Sequence, residues 1–170
     1  VDPRPTRVAE SAGRRRLAHA REVLLELPAD VELGIGVAPG NSQGPQDILA
    51  TIPVALAEGQ RYVAVANGVL DPGGFAPNPE GRDIGFNLFA YAPVPEEAPS
   101  FQVGLLAFHG ATDAPAVDLI VRAPRYNDDS LPLVTDLAYT DFQLVNGVPF
   151  PLEIDVTPAG DNGTVVATFA

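Results

Sequence analysis

Apolar and polar residues alternate with a period of two along several short stretches of the chain. Val31, Leu33, Ile35 and Val37 alternate with Glu32, Gly34 and Gly36, and Leu152, Ile154 and Val156 alternate with Glu153, Asp155 and Thr157. A strand with one buried face has this pattern. Further short strands are predicted at 47–54, 61–67, 84–91, 102–108, 116–122, 141–145 and 164–169. Each is bounded by turn residues such as Ala38-Pro39-Gly40-Asn41, Asp71-Pro72-Gly73-Gly74 and Asp161-Asn162-Gly163. About nine short strands with no helical period among them predict an all-β, antiparallel sandwich or barrel. The segment 102–108 is apolar on both faces and is therefore expected at the centre of a sheet.

Two of these hairpins resemble each other. Val31-Glu32-Leu33-Gly34-Ile35-Gly36, a turn, and Ile48-Leu49-Ala50-Thr51-Ile52 match Leu152-Glu153-Ile154-Asp155-Val156-Thr157, a turn, and Val165-Val166-Ala167-Thr168-Phe169. The first copy carries extra residues only in its turn, where a length difference does not flip the faces of a strand. Val1-Asp2 and Val117-Asp118 fit the same period. The chain is thus expected to cover about one and a half repeat units of a longer protein: a C-terminal part of one unit at 25–95, a junction at 96–103 and an N-terminal part of the next at 104–170. The two parts either complete one sandwich or leave unpaired sheet edges.

Composition narrows the chemistry. The 170 residues contain no Cys, Met or Trp and only two His, which removes disulfides, thiolate nucleophiles and Cys-ligated metals and leaves little for other zinc or copper sites. The formal net charge is −12, and all ten basic residues are Arg. Six of those Arg lie in residues 1–26 against four acids, leaving that segment at +2, whereas the rest of the chain stands at −14. Such an acidic body repels phosphate backbones, so nucleic acid is not an expected partner. A GC-rich genome, a high-salt habitat and colloidal solubility are all compatible with this balance. No apolar run is long enough to span a bilayer, so no membrane insertion is expected in this segment.

The stretch His109-Gly110-Ala111-Thr112-Asp113-Ala114-Pro115-Ala116-Val117-Asp118 resembles the H-x-x-x-D-A-P-x-V-D signature of the family called domain of unknown function 4397. Similar text lies at Ala38-Pro39-Gly40-Asn41-Ser42, from Gly59 through Tyr62 and Asn67 to Gly68, and at Asp136-Leu137-Ala138-Tyr139. The resemblance covers about residues 24–170. It implies tandem, immunoglobulin-like β-sandwiches of exported or cell-surface bacterial and archaeal proteins, with no catalytic activity and no cofactor, and it carries over no ligand residues. Residues 1–24 depart from the pattern in Pro3-Arg4-Pro5-Thr6-Arg7 and Arg14-Arg15-Arg16. They read as a helical or irregular arm, with a shifted reading frame and a nucleic-acid-binding arm as the other readings.

The candidate chemical groups are few. His109, Asp113 and Asp118 form a polar set in one loop, and a His–carboxylate pair performs general acid–base work when coupled. The plainer expectation is that Asp113 makes an Asx-type turn and His109 bonds backbone. No Ser or Thr lies in a nucleophile-elbow context. Asn78, Glu80 and Asp83, or Asp128-Asp129 and Asp161-Asn162, offer oxygen ligands for calcium, although their spacing does not match the twelve-residue calcium loop. Asn162-Gly163-Thr164 is a formal glycosylation sequon but first a turn signal. The function expected is a non-enzymatic, extracellular or cell-surface spacer or adhesion module. The alternative is a carbohydrate- or calcium-binding module using loops 71–83 and 109–118, with surface glycans or neighbouring repeats as partners.

Overall fold

The computed structural model describes residues 26–98, 100, 102–122, 130–149, 153–161 and 163–169. Among the described residues ten strands follow one another: β1 (Glu32–Val37), β2 (Ala50–Ala55), β3 (Val63–Asn67), β4 (Asn87–Tyr91), β5 (Gln102–Phe108), β6 (Val117–Arg122), β7 (Ser130–Leu137), β8 (Phe142–Pro149), β9 (Glu153–Pro158) and β10 (Ala167–Phe169). Two single-turn 3-10 segments, Pro45–Asp47 and Pro72–Gly74, sit in connections. All strand pairings are antiparallel, and the fold is all-β and sandwich-like. The readings for residues 1–24, Asp128, Asp129 and Asn162 fall outside the described residues.

The chain divides into two compact units at Gly59–Gln60, ahead of the division at 96–103 that the repeat predicts. The first unit contains the β1–β2 hairpin, in which Leu33 faces Val54, Ile35 faces Ile52 and Val37 faces Ala50. Its alternating pattern follows from the sequence: Leu33, Ile35 and Val37 are half-buried, and Glu32, Gly34 and Gly36 are exposed.

The second unit holds three sheets, ordered β10-β9-β6-β7, β5-β8 and β3-β4. Leu119, Val134 and Leu137 of the four-stranded sheet make its central cluster, and Ala107 and Val145 from β5 and β8 pack against it. The other face of β5–β8 carries an aromatic seam. Phe108 stacks on Phe142 at 4.6 Å and on Phe89 at 5.8 Å, and Tyr91 meets Phe142 at 5.7 Å. Strand β4, which the repeat assigns to the first copy, thus shares its rings with β5 and β8, assigned to the second. The two parts contribute to one unit.

Strand β5 is not central, contrary to its apolar pattern. Among the described residues it pairs only with β8, and on its second apolar face Phe108 belongs to the aromatic seam. The central strand is β6, between β9 and β7, with Leu119 and Ile120 both buried. Strand β7 is absent from the predicted set. Pro132 lies inside it, and proline lacks the N–H a central strand needs; β7 tolerates it because it is the last strand of its sheet.

The two similar segments both form antiparallel hairpins. Leu49 N–H donates to the Val37 carbonyl at 2.8 Å, and the matching Val166 N–H donates to the Val156 carbonyl at 2.8 Å. By sequence Val156 matches Ile35, so the two registers differ by two residues. A slip of two leaves every side chain on its own face, whereas a slip of one would reverse them.

Candidate functional site

The loops 68–86 and 109–116 of the second unit are joined by side chains that bond backbone, and most candidate residues belong to this junction. Asp118 is buried, in β6, and both carboxylate oxygens are engaged. Oδ1 accepts the Asp136 N–H at 2.8 Å and Oδ2 accepts the Gly160 N–H at 3.0 Å. The first bond has a clear cause. Between the Val117–Leu137 and Leu119–Val134 pairs, β7 carries an extra residue, a bulge, with Asp136 at φ 57°. A bulged amide has no ladder partner, and a charge-assisted hydrogen bond to a carboxylate is a strong substitute for one. The Asp118 carboxylate supplies that partner and also holds the turn that follows β9.

His109 directly follows β5 and is buried. Its Nδ1 accepts the Ala111 N–H at 3.3 Å, so Nε2 carries the proton and donates to the Pro115 carbonyl at 2.9 Å. The loop winds around the imidazole, whose ring also meets Tyr139 edge-on at 6.3 Å. Asp113 differs from the Asx-turn expectation. It is exposed, and its carboxylate accepts no hydrogen bond among the described residues. The loop is closed instead by Asn78, whose Nδ2 donates to the Thr112 carbonyl at 3.1 Å and the Ala114 carbonyl at 3.3 Å. No bond or ion pair couples His109 to Asp113 or Asp118 among the described residues, so these three do not form an acid–base pair.

Asn78, Glu80 and Asp83 likewise each hold backbone. Asn78 Oδ1 accepts the Glu80 N–H at 3.0 Å, Glu80 Oε1 accepts the Ala116 N–H at 2.8 Å, and Asp83 Oδ1 accepts the Gly85 N–H at 2.8 Å. No group of three or more His, Asp or Glu side chains converges in a metal-binding arrangement among the described residues. Asn78, 3% exposed, needs all its partners because a buried amide left unpaired is costly.

Four residues that are not among the candidate site residues complete the junction. Arg82 donates to the Tyr139 carbonyl at 2.7 Å and forks onto Asp141 at 2.7 and 3.2 Å. The bond to Asp141 raises the Arg82 pKa. Tyr139, fully buried, donates its hydroxyl to Asn67 Oδ1 at 2.9 Å, and Asn67 Nδ2 donates to the Gly110 carbonyl at 3.0 Å. Burial, assisted by the Asp83 charge, pushes the Tyr139 phenol above its ordinary 10.0. Asn67, Tyr139 and His109 all lie in the motif-like segments 59–68, 136–139 and 109–118 of the sequence, which was the available signal. Arg82 and Asp141 had none, since an exposed Arg–Asp pair between loops leaves no periodic trace.

The face of β6 and β9 that carries Asp118, turned away from the Leu119 cluster, holds a second polar group. Arg122 Nε and Nη2 bond Asp155 at 2.6 and 3.0 Å, Thr168 Oγ1 donates to the same carboxylate at 2.6 Å, and Glu153 lies 3.2 Å from Arg122. Arg122, then Thr168, hold the Asp155 carboxyl below its ordinary 3.8. Comparison with known protein families, curated proteins and solved structures gives no match to this chain.

Proposed function

We propose that this chain is a non-catalytic β-sandwich module, an adhesion or spacer element of a larger exported or cell-surface protein of the domain of unknown function 4397 kind. One observation carries the reading. The residues with the most chemical potential, His109, Asp118, Asn78 and Glu80, use their polar atoms to clamp backbone in two loops and one bulge. A catalytic base needs a proton to take from a substrate, and a calcium site needs several oxygens converging on one point, which no group of three or more acidic or His side chains supplies among the described residues. Groups engaged in this way supply rigidity instead. The likeness of hairpins β1–β2 and β9–β10 supports a tandem arrangement of such modules.

The test is the stability of clamp variants with and without calcium. Asp118→Ala and Asn78→Ala each lower the melting temperature by several degrees, and neither calcium nor a chelator moves the parent's. Variants that melt with the parent would remove the structural reading. A saturable rise of the parent's melting temperature with calcium, lost on Glu80→Gln, would replace it with the calcium-binding one.

A further inference from the structure

Arg82, Asp83, Gly85, Asn87, Phe89 and Thr140 line an open cleft of about 390 Å³ beside the loop junction. Its walls are held in place before any ligand arrives. Arg82 is pinned by the Tyr139 carbonyl and Asp141. Thr140 stands at φ 74°, a conformation a β-branched residue rarely adopts. Its N–H bonds the His109 carbonyl at 2.8 Å, and Arg82 reaches its hydroxyl at 3.4 Å. Strain of this kind persists only where the surroundings over-determine it. Phe89 is braced by Phe108.

Within this frame some polar capacity is unused. Asp83 engages Oδ1 with the Gly85 N–H, and Asn87 engages its Oδ1 with the Leu88 N–H at 2.8 Å. Asp83 Oδ2 and Asn87 Nδ2 take no partner among the described residues, and both residues are exposed. The residues lining the cleft therefore include a carboxylate oxygen, an amide N–H₂ and a hydroxyl together with an aromatic ring. Asp141 offsets the Arg82 charge and Asp83 leaves the cleft negative, which disfavours phosphate, sulfate and carboxylate ligands. The absence of a converging ligand set among the described residues argues against a cation. A neutral polyol fits what remains. Its adjacent hydroxyls match a planar carboxylate and amide, and the C–H face of a pyranose packs on an aromatic ring.

We propose that this cleft is a subsite for a neutral saccharide, with Asp83 and Asn87 bonding vicinal hydroxyls and Phe89 presenting its ring to the sugar. The proposal rests on the adhesion form of the module reading and names its ligand class. The test titrates the ¹⁵N-labelled chain with neutral gluco-, manno- and galacto-configured oligosaccharides, followed by NMR, with a uronate oligomer, calcium and inorganic phosphate as parallel probes. At least one neutral saccharide shifts the amides of Asp83, Gly85, Asn87 and Phe89 saturably. Asp83→Asn and Asn87→Ala, which leave the exposed surface folded, each weaken that binding by about tenfold or more. The proposal is overturned if no neutral saccharide moves those amides, if the two variants bind like the parent, or if only the uronate, phosphate or calcium binds. None of these outcomes touches the module reading, which stands or falls on the melting of the Asp118 and Asn78 variants.

Discussion

Asp118 shows how a charged residue in a buried position is made stable. It accepts two backbone N–H groups that no strand ladder can satisfy, one at the bulge of β7 and one in the turn after β9. Asp118→Ala removes the acceptor of both donors and is expected to lower unfolding stability by about 1–3 kcal/mol, read from the urea midpoint at an unchanged slope. Asp118→Asn keeps one acceptor oxygen and is expected to fall between the parent and the alanine variant. Asp155 makes a prediction about pH. Its folded pKa lies below the unfolded value, so the unfolded chain binds more protons as acid is added. The stabilisation is complete above the ordinary carboxylate value of 3.8 and is lost as the pH falls below it toward the folded pKa. Asp155→Asn should flatten the acid limb of the stability curve. An acid limb as steep as the parent's would show that the Arg122–Asp155–Thr168 group does not act this way. At this scale the motif was partly legible: His109 and Asp118 were singled out, and backbone bonding by His109 was expected. Asp113 could not be told apart from them, because its exposure depends on the loop path set by Asn78 from a distant segment.

Strands were legible to the extent that one face alternates. The segment 102–108 coincides with β5, and those at 116–122 and 61–67 differ from β6 and β3 only at an end. Pairing was not legible, since apolar residues on both faces of β5 do not reveal whether a strand or an aromatic ring lies against them. Strand β7 was hidden by Pro132, which reads as a breaker until the strand is known to be an edge. The connection between β3 and β4 depends on a close approach of two glycines. Val69 N–H bonds the Ile84 carbonyl and Phe86 N–H bonds the Val69 carbonyl, so the loop folds back on itself as a parallel bridge. Gly68 stands there at φ 97°, and a Cβ on it would press directly against the Gly85 carbonyl. Gly68→Ala is therefore expected to cost more than the roughly 1 kcal/mol of backbone strain alone. It should also broaden the NMR signals of residues 69–86 while those of β6 and β9 stay sharp. A variant as stable as the parent would contradict this account of the loop.

As a whole molecule, the chain carries its apolar cluster, aromatic seam and clamped loops in the unit from Gln60 onward. An isolated hairpin such as β1–β2 is marginal in water. Residues 60–170 expressed alone should therefore unfold cooperatively, in a single transition. Loss of that transition would mean that the unit lacks a core of its own. The charge of −12 adds a further expectation. Self-repulsion among 22 acidic residues is screened by salt, so the melting temperature should rise between low and molar sodium chloride. The sequence carried the charge split and the all-β class, while the division into compact units at Gly59–Gln60 does not coincide with the repeat junction at 96–103. Repeat similarity follows the order of strands along the chain, while a compact unit follows which strands share a core.

Polar loop residues act as clamps on backbone, and native-state hydrogen exchange reads the clamped amides one by one. The amides of Asp136, Gly160 and Ala116 belong to a bulge, a turn and a loop, where exchange is ordinarily fast. Held by Asp118 and Glu80, they are predicted to exchange within about tenfold of the β6–β9 ladder amides. Asp136 and Gly160 should lose that protection selectively in Asp118→Ala. Exchange of all three at the rate of free loop amides in the parent chain would contradict the account.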